Sequence, residues 1–288
     1  MTPTRRRAAL SAVVAALLAL FAAACGSSDE EAATAAPESG QTSSKAEAAV
    51  ATYRDYLEEN ADLLVVETKP FVAAVVAGNL AEAKSLYAPP RIPYERIEPV
   101  ADTFGSLDPR IDARENDVAA GEFEGFHRIE KALWEEGTTQ GMAPVAEQLQ
   151  KDVEALAAKV KTVDPRAVDV ANGAVALLGE VSASKITGEE ERYSHIDLVD
   201  FEANVEGSEA AFEAVKPLLD ETDPELSGEI EAHFKMVFAA LEPYRRGNGF
   251  VSYTELTPAD TRRLAQAIDT LAEELSQVPA AIAPAEES

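Results

Sequence analysis

The chain has 288 residues, of which 46% are hydrophobic and only 6% aromatic, and its formal net charge is −27 at pH 7. So acidic a surface repels nucleic-acid phosphates and anionic membranes and attracts cations, which argues against a nucleic-acid-binding protein. Its single cysteine, Cys25, excludes an internal disulfide framework and leaves any metal site to oxygen and imidazole ligands.

Residues 1–24 have the three parts of a secretory signal. Arginines at 5–7 are followed by an apolar run over 8–21 and then by small residues before Cys25. The run is too short for a stable membrane span. Small residues directly before a cysteine resemble a bacterial lipobox, although Ala22 stands where leucine is usual. We therefore expect lipidation of Cys25, with a plain signal peptide as the alternative.

Residues 25–44 have no apolar periodicity and are predicted to form a disordered tether. With an acyl group on Cys25, the folded part would be held at the outer face of the bacterial cytoplasmic membrane, in the periplasmic or cell-wall space. The protein is thus expected to be exported and to sit on the membrane without spanning it.

From residue 45 onward the apolar spacing is helical, and no convincing two-residue alternation appears. The predicted fold class is therefore all-α, with about eight helices. Pro70 is expected to end or kink the first helix, and residues 104–116 are predicted to be a loop. Later helices are predicted near 142–163, 165–185, 196–219 (with a soft interruption at Gly207), 224–246 and 258–277.

These helices predict two packed bundles, because the core of one bundle holds about four helices. The first bundle is expected over residues 45–163 and the second over 164–280, with a tail at 281–288. No long flexible linker separates the halves, so they are expected to pack against each other.

The segment GFHRIEKALW (residues 125–134) contains one of the three histidines and the only tryptophan of the chain. His127 and Glu130 are three residues apart, so they project from one face of the predicted helix. An imidazole and a carboxylate that converge in this way can hold a cation, as inward-facing Glu and His pairs do in metal-binding bundles. The alternative is a partly buried histidine paired with its neighbouring glutamate.

Two other stretches concentrate carboxylates. Glu95 and Glu98 share a helix face and would repel each other unless a cation or Arg96 lay close. Residues 186–197 contain three glutamates together with a tyrosine, a histidine and an aspartate. Either stretch could also be a solvated acidic surface or an interhelix loop that caps the next helix. No zinc-peptidase helix motif, phosphate-binding glycine loop or nucleophilic triad signature is present, so we predict no catalytic residues.

Several motifs taken together resemble the imelysin-like (M75) family, and within it the EfeO/EfeM branch of iron uptake lipoproteins. The resemblance covers about residues 46–280. The motifs are RIPYERIEP (91–99), IDAR (111–114), GFHRIEKALW (125–134), KITGEEERYSH (185–195), YRRGNGFVSY (244–253) and LSQV (275–278).

The resemblance implies an exported protein of two four-helix bundles that binds iron (Fe²⁺ or Fe³⁺) or another divalent cation. It implies partners, namely a membrane iron permease and a haem-dependent deferrochelatase of the peroxidase type. The motif positions imply that His127 and Glu130 ligate the metal, with an acidic cluster facing them. That cluster would consist of Glu95, Glu98, Asp112 and Glu190.

Many members of this branch carry an N-terminal cupredoxin-like domain, and residues 26–45 are too few to form one. The copper and redox chemistry of such a domain is therefore expected to be absent.

The family also carries a peptidase label, which would make the chain a metallopeptidase acting on surface proteins. Its residues offer no positioned general base and no oxyanion donors, so we expect an ion-binding protein rather than an enzyme. A third alternative is a helical adhesin or scaffold without metal. Clustered carboxylates repel one another, so an empty site is expected to be under strain that a hard cation relieves.

Overall fold

The computed structural model describes residues 43–103, 105–183 and 185–286. These residues belong to one compact unit and are mostly helical, which confirms the predicted all-α fold class. The signal segment, Cys25 and the tether up to residue 42 lie outside the described residues. No described helix combines the length and apolarity needed to cross a membrane.

Eleven α-helices lie in the described ranges, where about eight were predicted. They are α1 (Ser44–Val76), α2 (Leu80–Ser85), α3 (Ala88–Ile97), α4 (Asp108–Asp112), α5 (Gly125–Trp134), α6 (Ala143–Val160), α7 (Ala167–Ala183), α8 (Asp197–Thr222), α9 (Pro224–Leu241), α10 (Pro258–Leu275) and α11 (Val278–Glu286). Short 3₁₀ turns lie at Glu98–Thr103, Gly105–Leu107, Lys185–Thr187, Glu242–Tyr244 and Tyr253–Glu255.

Two strands, β1 (Arg245–Arg246) and β2 (Gly249–Phe250), form a small antiparallel hairpin in which Arg245 is opposite Phe250. No larger sheet occurs in the ranges that the structure describes. The described residues therefore contain nothing of the β-sheet size that a cupredoxin-like domain requires.

The loop predicted over residues 104–116 is wrong in part, because it contains α4 and a 3₁₀ turn. The sequence carried a signal for this helix, since Pro109 lies in its first turn, where the missing N–H costs no hydrogen bond. Pro70 does not end α1, which continues to Val76. The buried residues Phe71 and Val75 keep that last part of the helix packed against the core.

The predicted interruption at Gly207 is also wrong, because α8 runs through it without a break. A Cβ atom at this position would lie 2.4 Å from the carbonyl oxygen of Arg96. The glycine is therefore a point of close approach between α8 and the end of α3.

Helix α8 is central to the core, and it packs against α1, α3, α7, α9 and α11. Helix α1 in turn packs against α3 and α6, and α10 packs against α7 and α9. Helices from both predicted halves thus share contacts with α8, and a division into two bundles at residues 163 and 164 stays a prediction.

Aromatic side chains form a cluster next to α3 and α5. The Tyr87 ring meets the rings of Phe71, Phe126 and Trp134 edge-on, with centroid distances of 5.6, 6.2 and 5.3 Å. Such edge-to-face pairs add about 0.5–1.5 kcal/mol each beyond the area that they bury. These aromatic contacts fix the position of α5 and therefore the position of His127.

Candidate metal centre

Three segments of the chain meet at His127. Helix α5 provides His127 and Glu130, the end of α4 provides Asp112, and the loop after the 3₁₀ turn at Lys185–Thr187 provides Glu190. Gly125 explains why α4 and α5 approach so closely. Its φ is +76°, and a Cβ atom there would lie only 2.2 Å from the carbonyl oxygen of Ile111.

The imidazole of His127 is buried, with 1% of its surface exposed, and its two nitrogens face different carboxylates. Nε2 lies 3.4 Å from Oδ1 of Asp112 and 3.7 Å from Oε1 of Glu190. This nitrogen makes no hydrogen bond to any described residue. Asp112, His127 and Glu190 can each offer one atom so that the three atoms lie within 4.8 Å of one another.

Glu130 holds the other side of the ring. Its Oε2 lies 3.1 Å from Nδ1 of His127, while its Oε1 accepts hydrogen bonds from the backbone N–H groups of Tyr193 (2.9 Å) and Ser194 (2.7 Å). A carboxylate on the far nitrogen of a metal-binding histidine sets the tautomer and the ring orientation. His127, Glu130 and Glu191 form a second possible ligand group on this side.

Glu95 and Glu98 are buried or nearly so, and both contact protein donors rather than His127. Oε2 of Glu95 accepts from Lys185 Nζ and Asn204 Nδ2, both at 2.7 Å. Oε2 of Glu98 accepts from the same two atoms at 2.6 and 2.8 Å. Of the six predicted metal ligands, the structure thus groups Asp112, His127, Glu130 and Glu190 around the imidazole. It places Glu95 and Glu98 in neither ligand group.

The carboxylates of Asp112 and Glu190 border a cleft of about 240 Å³, whereas His127 lies behind them and is not among its lining residues. Its lining includes both carboxylates that face Nε2, together with two cationic side chains. The lining residues are Glu98, Asp108, Pro109, Asp112, Ala113, Arg114, Asp117, Val118, Lys185 and Glu190.

Arg91 is a fully buried cation beside the cleft, and sequence reasoning gave it no role. Its guanidinium contacts Glu95 and Asp112 directly, and its Nε lies 2.9 Å from Oε1 of Glu191. Asp200 approaches the same group at 3.6 Å. The four-residue spacing between Arg91 and Glu95 on one helix was the available signal for the first of these contacts. No local pattern marks the other partners.

The charges around the cleft favour a protonated histidine while no cation is bound. Burial opposes protonation of His127, but the neighbouring carboxylates of Asp112, Glu130 and Glu190 outweigh it and raise the pKa well above its usual value. Burial also opposes ionisation of Glu190, but Lys185, His127 and Arg114 outweigh it and hold the pKa of that carboxyl well below its usual range. A cation that binds Nε2 must therefore displace a proton.

Other carboxyls near the cleft have the opposite tendency. Burial is the main cause that raises the pKa of Glu98, Glu191 and Asp200 well above the usual range, and neighbouring carboxylates add to it. Lys185 partly offsets this for Glu98, as Arg91 does for Glu191 and Asp200. Burial next to the cleft thus opposes ionisation of these three carboxyl groups, and the neighbouring cations favour it.

The chain matches the family model of the M75 peptidase group, described as imelysin, over residues 49–278. This chain belongs to the imelysin family. The match contains every residue of the cleft, and it confirms the resemblance that the motifs indicated.

This imelysin-family chain is 46% identical over 234 residues to the iron uptake system component EfeO of Escherichia coli strain K12. The alignment covers 80% of this chain and 62% of that protein. Proteins of the same name from Shigella flexneri and Shigella sonnei show the same identity and coverage. The chain therefore spans about three fifths of the length of these relatives, whose names describe uptake components and not peptidases.

Proposed function

We propose that this imelysin-family chain is the extracytoplasmic iron-binding component of an iron uptake system. It binds one Fe²⁺ or Fe³⁺ ion between Asp112, His127 and Glu190 and presents it to a membrane permease. The observation that carries the proposal is the buried Nε2 of His127, which has no hydrogen-bond partner among the described residues and faces two carboxylate oxygens at 3.4 and 3.7 Å.

The donor set suits iron or another hard to borderline cation. Two carboxylates and one imidazole favour Fe, Mn, Zn or Mg over Cu(I), which prefers thiolate or thioether ligands. In this arrangement Glu130 fixes the ring through Nδ1 while Nε2 binds the ion. The name of the relatives, iron uptake system component, supports iron as the cargo.

The same relatives support a multicomponent system, because their name describes one component of iron uptake. We therefore retain the membrane iron permease and the haem-dependent deferrochelatase as proposed partners. Lipidation of Cys25 would keep the protein beside the permease, since an acyl chain holds a protein on the membrane surface.

The first test is an anaerobic titration of the mature chain with Fe(II), repeated with Mn(II), with calorimetry and thermal unfolding as readouts. An ion that binds only the folded state stabilises it by about 2.7 kcal/mol at a free concentration one hundred times the Kd. The isosteric double variant D112N/E190Q should lose this stabilisation.

The matched control is E189Q, which changes the exposed glutamate next to Glu190 and should bind as wild type does. Absence of binding by the wild-type chain, or equal binding by D112N/E190Q, would contradict the proposal. Zn(II)-dependent cleavage of an unfolded protein that requires Glu130 would contradict it as well, because it would identify a peptidase.

A further inference from the structure

We propose that Lys185 is a built-in counter-ion that limits the cleft to one metal ion. Its ammonium group occupies the place between Glu95 and Glu98 that a second cation would take. This inference rests on the proposed function for the neighbouring ion, but it concerns a different pair of carboxylates and a different observable, the number of ions bound.

The contacts of Lys185 are those of a bound cation. Its side chain is 4% exposed, and Nζ lies 2.7 Å from Oε2 of Glu95 and 2.6 Å from Oε2 of Glu98. Nδ2 of Asn204 donates to the same two oxygens at 2.7 and 2.8 Å. One buried ammonium group and one buried amide group thus bridge two carboxylates.

The two carboxylates need a cation at this place. They are three residues apart, and like charges so close together destabilise a helix end, the more so when buried. Arg96 does not supply the charge, because its Nη2 pairs with Oε2 of Glu206 at 2.8 Å. Asn204 is neutral and offers only hydrogen bonds. Arg91 pairs with Oε1 of Glu95, whereas Lys185 contacts Oε2 of both glutamates and so provides the positive charge that bridges them.

Lysine suits this role because its ammonium group is a compact, strongly hydrated point charge, as a hard metal ion is. Lys185 also lines the cleft together with Asp112 and Glu190, so its charge acts on the proposed ion site. A fixed positive charge there weakens binding of the first ion and removes the carboxylate pair that a second ion would need. The expected result is a site for a single ion that can be released.

The test counts Mn(II) ions per folded chain, by electron paramagnetic resonance of free Mn(II) and by metal analysis after dialysis. We expect one ion for wild type and two for K185M, in which methionine keeps the length of the side chain but not its charge. We expect one ion again for K185M/E98Q, because this double variant also removes a carboxylate of the vacated pair.

The matched control is K216M. Lys216 also contacts two carboxylates, Asp220 at 2.8 Å and Glu231 at 3.5 Å, but both partners are solvent-accessible surface groups. If removal of any bridging lysine created an ion site, K216M would also gain one. We expect it to bind one ion, as wild type does.

A folded K185M that binds the same number of ions as wild type would overturn the inference, and a second ion in K216M would do so too. Folding of K185M only with Mn(II), with two ions bound, would support it. If K185M does not fold at all, K185Q decides, because its amide can still donate to both carboxylates. Two ions in K185Q support the inference and one overturns it. Failure of wild type to bind any ion overturns the proposed function instead.

Discussion

At the scale of single residues, the surroundings of a carboxylate decide what it can do. Glu130 and Glu190 have the same side chain and both contact His127. Glu130 holds Nδ1 and two backbone N–H groups, whereas Glu190 faces the nitrogen that has no hydrogen-bond partner among the described residues. The first is therefore a positioning residue and the second a proposed ligand.

The E130Q variant tests this assignment. The glutamine oxygen can keep the bonds to Tyr193 and Ser194, which leaves its NH₂ group facing Nδ1 of His127. That contact favours the tautomer with the proton on Nε2, so the ligand nitrogen is blocked. We expect Mn(II) affinity to fall about 10–100-fold while the circular dichroism spectrum is retained. E135Q, a change at the exposed end of α5, should have no effect, and unaltered affinity in E130Q would refute the positioning role.

The contacts of the Arg91 side chain explain why the buried charges around it are tolerated. Its guanidinium also lies over the rings of Tyr94 and Phe126, at 5.6 and 5.3 Å from the centroids, so it is held by aromatic faces as well as by carboxylates. Arg91 contacts Asp112 and thereby keeps that carboxylate beside His127.

At the scale of elements, short connections rather than long helices bring the ligands together. The loop that carries Glu190 is held from outside by Tyr253, whose backbone N–H donates to the carbonyl oxygen of His195 at 2.9 Å. The Tyr253 ring packs so closely on Gly188 that a Cβ atom there would lie 2.5 Å from it. The alternative in which the stretch 186–197 caps the next helix with a side chain is wrong, because Ile196 is the N-cap of α8 and makes no side-chain cap bond.

The G125A variant tests the junction of α4 and α5. Alanine at a positive φ costs about 1–2 kcal/mol, and its Cβ would also collide with the carbonyl group of Ile111. We expect a lower free energy of unfolding in urea and weaker Mn(II) binding, because Asp112 and His127 move apart. G121A is the matched control, since a Cβ atom there has no neighbour within 4 Å. Equal Mn(II) affinity in G125A and G121A would show that the junction does not position the site.

At the scale of the whole molecule, the acidic composition has two consequences. In the described part of the chain most carboxylates are exposed or half-buried, and together with the net charge of −27 they attract cations. A smaller group is buried in one place and must be compensated there by Arg91, Lys185 and protonation. Folding is therefore coupled to pH through these few groups.

Asp197 provides a pH-dependent test. Burial raises the pKa of this carboxyl to about 6 from an ordinary value of 3.8, although backbone N–H donors lower it in part. The folded state then binds the proton more tightly than the unfolded chain does. Its contribution to stability is complete below about pH 4 and is lost as the pH rises through about 6, for a total of about 2–3 kcal/mol.

The D197N variant should lose this dependence, because asparagine keeps an oxygen for the N–H of Glu191 but does not titrate. We expect the difference in free energy of unfolding between D197N and wild type, measured in urea, to shift in favour of D197N between pH 4 and 6. D169N, a change at a partly exposed ion pair, should not show this shift. A difference that stays constant with pH would contradict the raised pKa.

The sequence alone determined the helical fold class, the family and the pairing of His127 with Glu130, because these depend on local periodicity and on short motifs. A three-residue spacing on a helix is enough to place His127 and Glu130 on one face. The helix at Asp108–Asp112 and the continuity of α1 and α8 were missed, since packing overrides the local signals of proline and glycine.

Only the tertiary structure decided which carboxylates face Nε2 of His127 and which are neutralised by protein cations. Asp112 and Glu190 face that nitrogen, whereas Glu95 and Glu98 bind Lys185. Lys185 is about ninety residues along the chain from both of its partners. Electrostatic interactions depend on distance in space and on burial, and neither quantity is encoded in the spacing of residues along one chain segment.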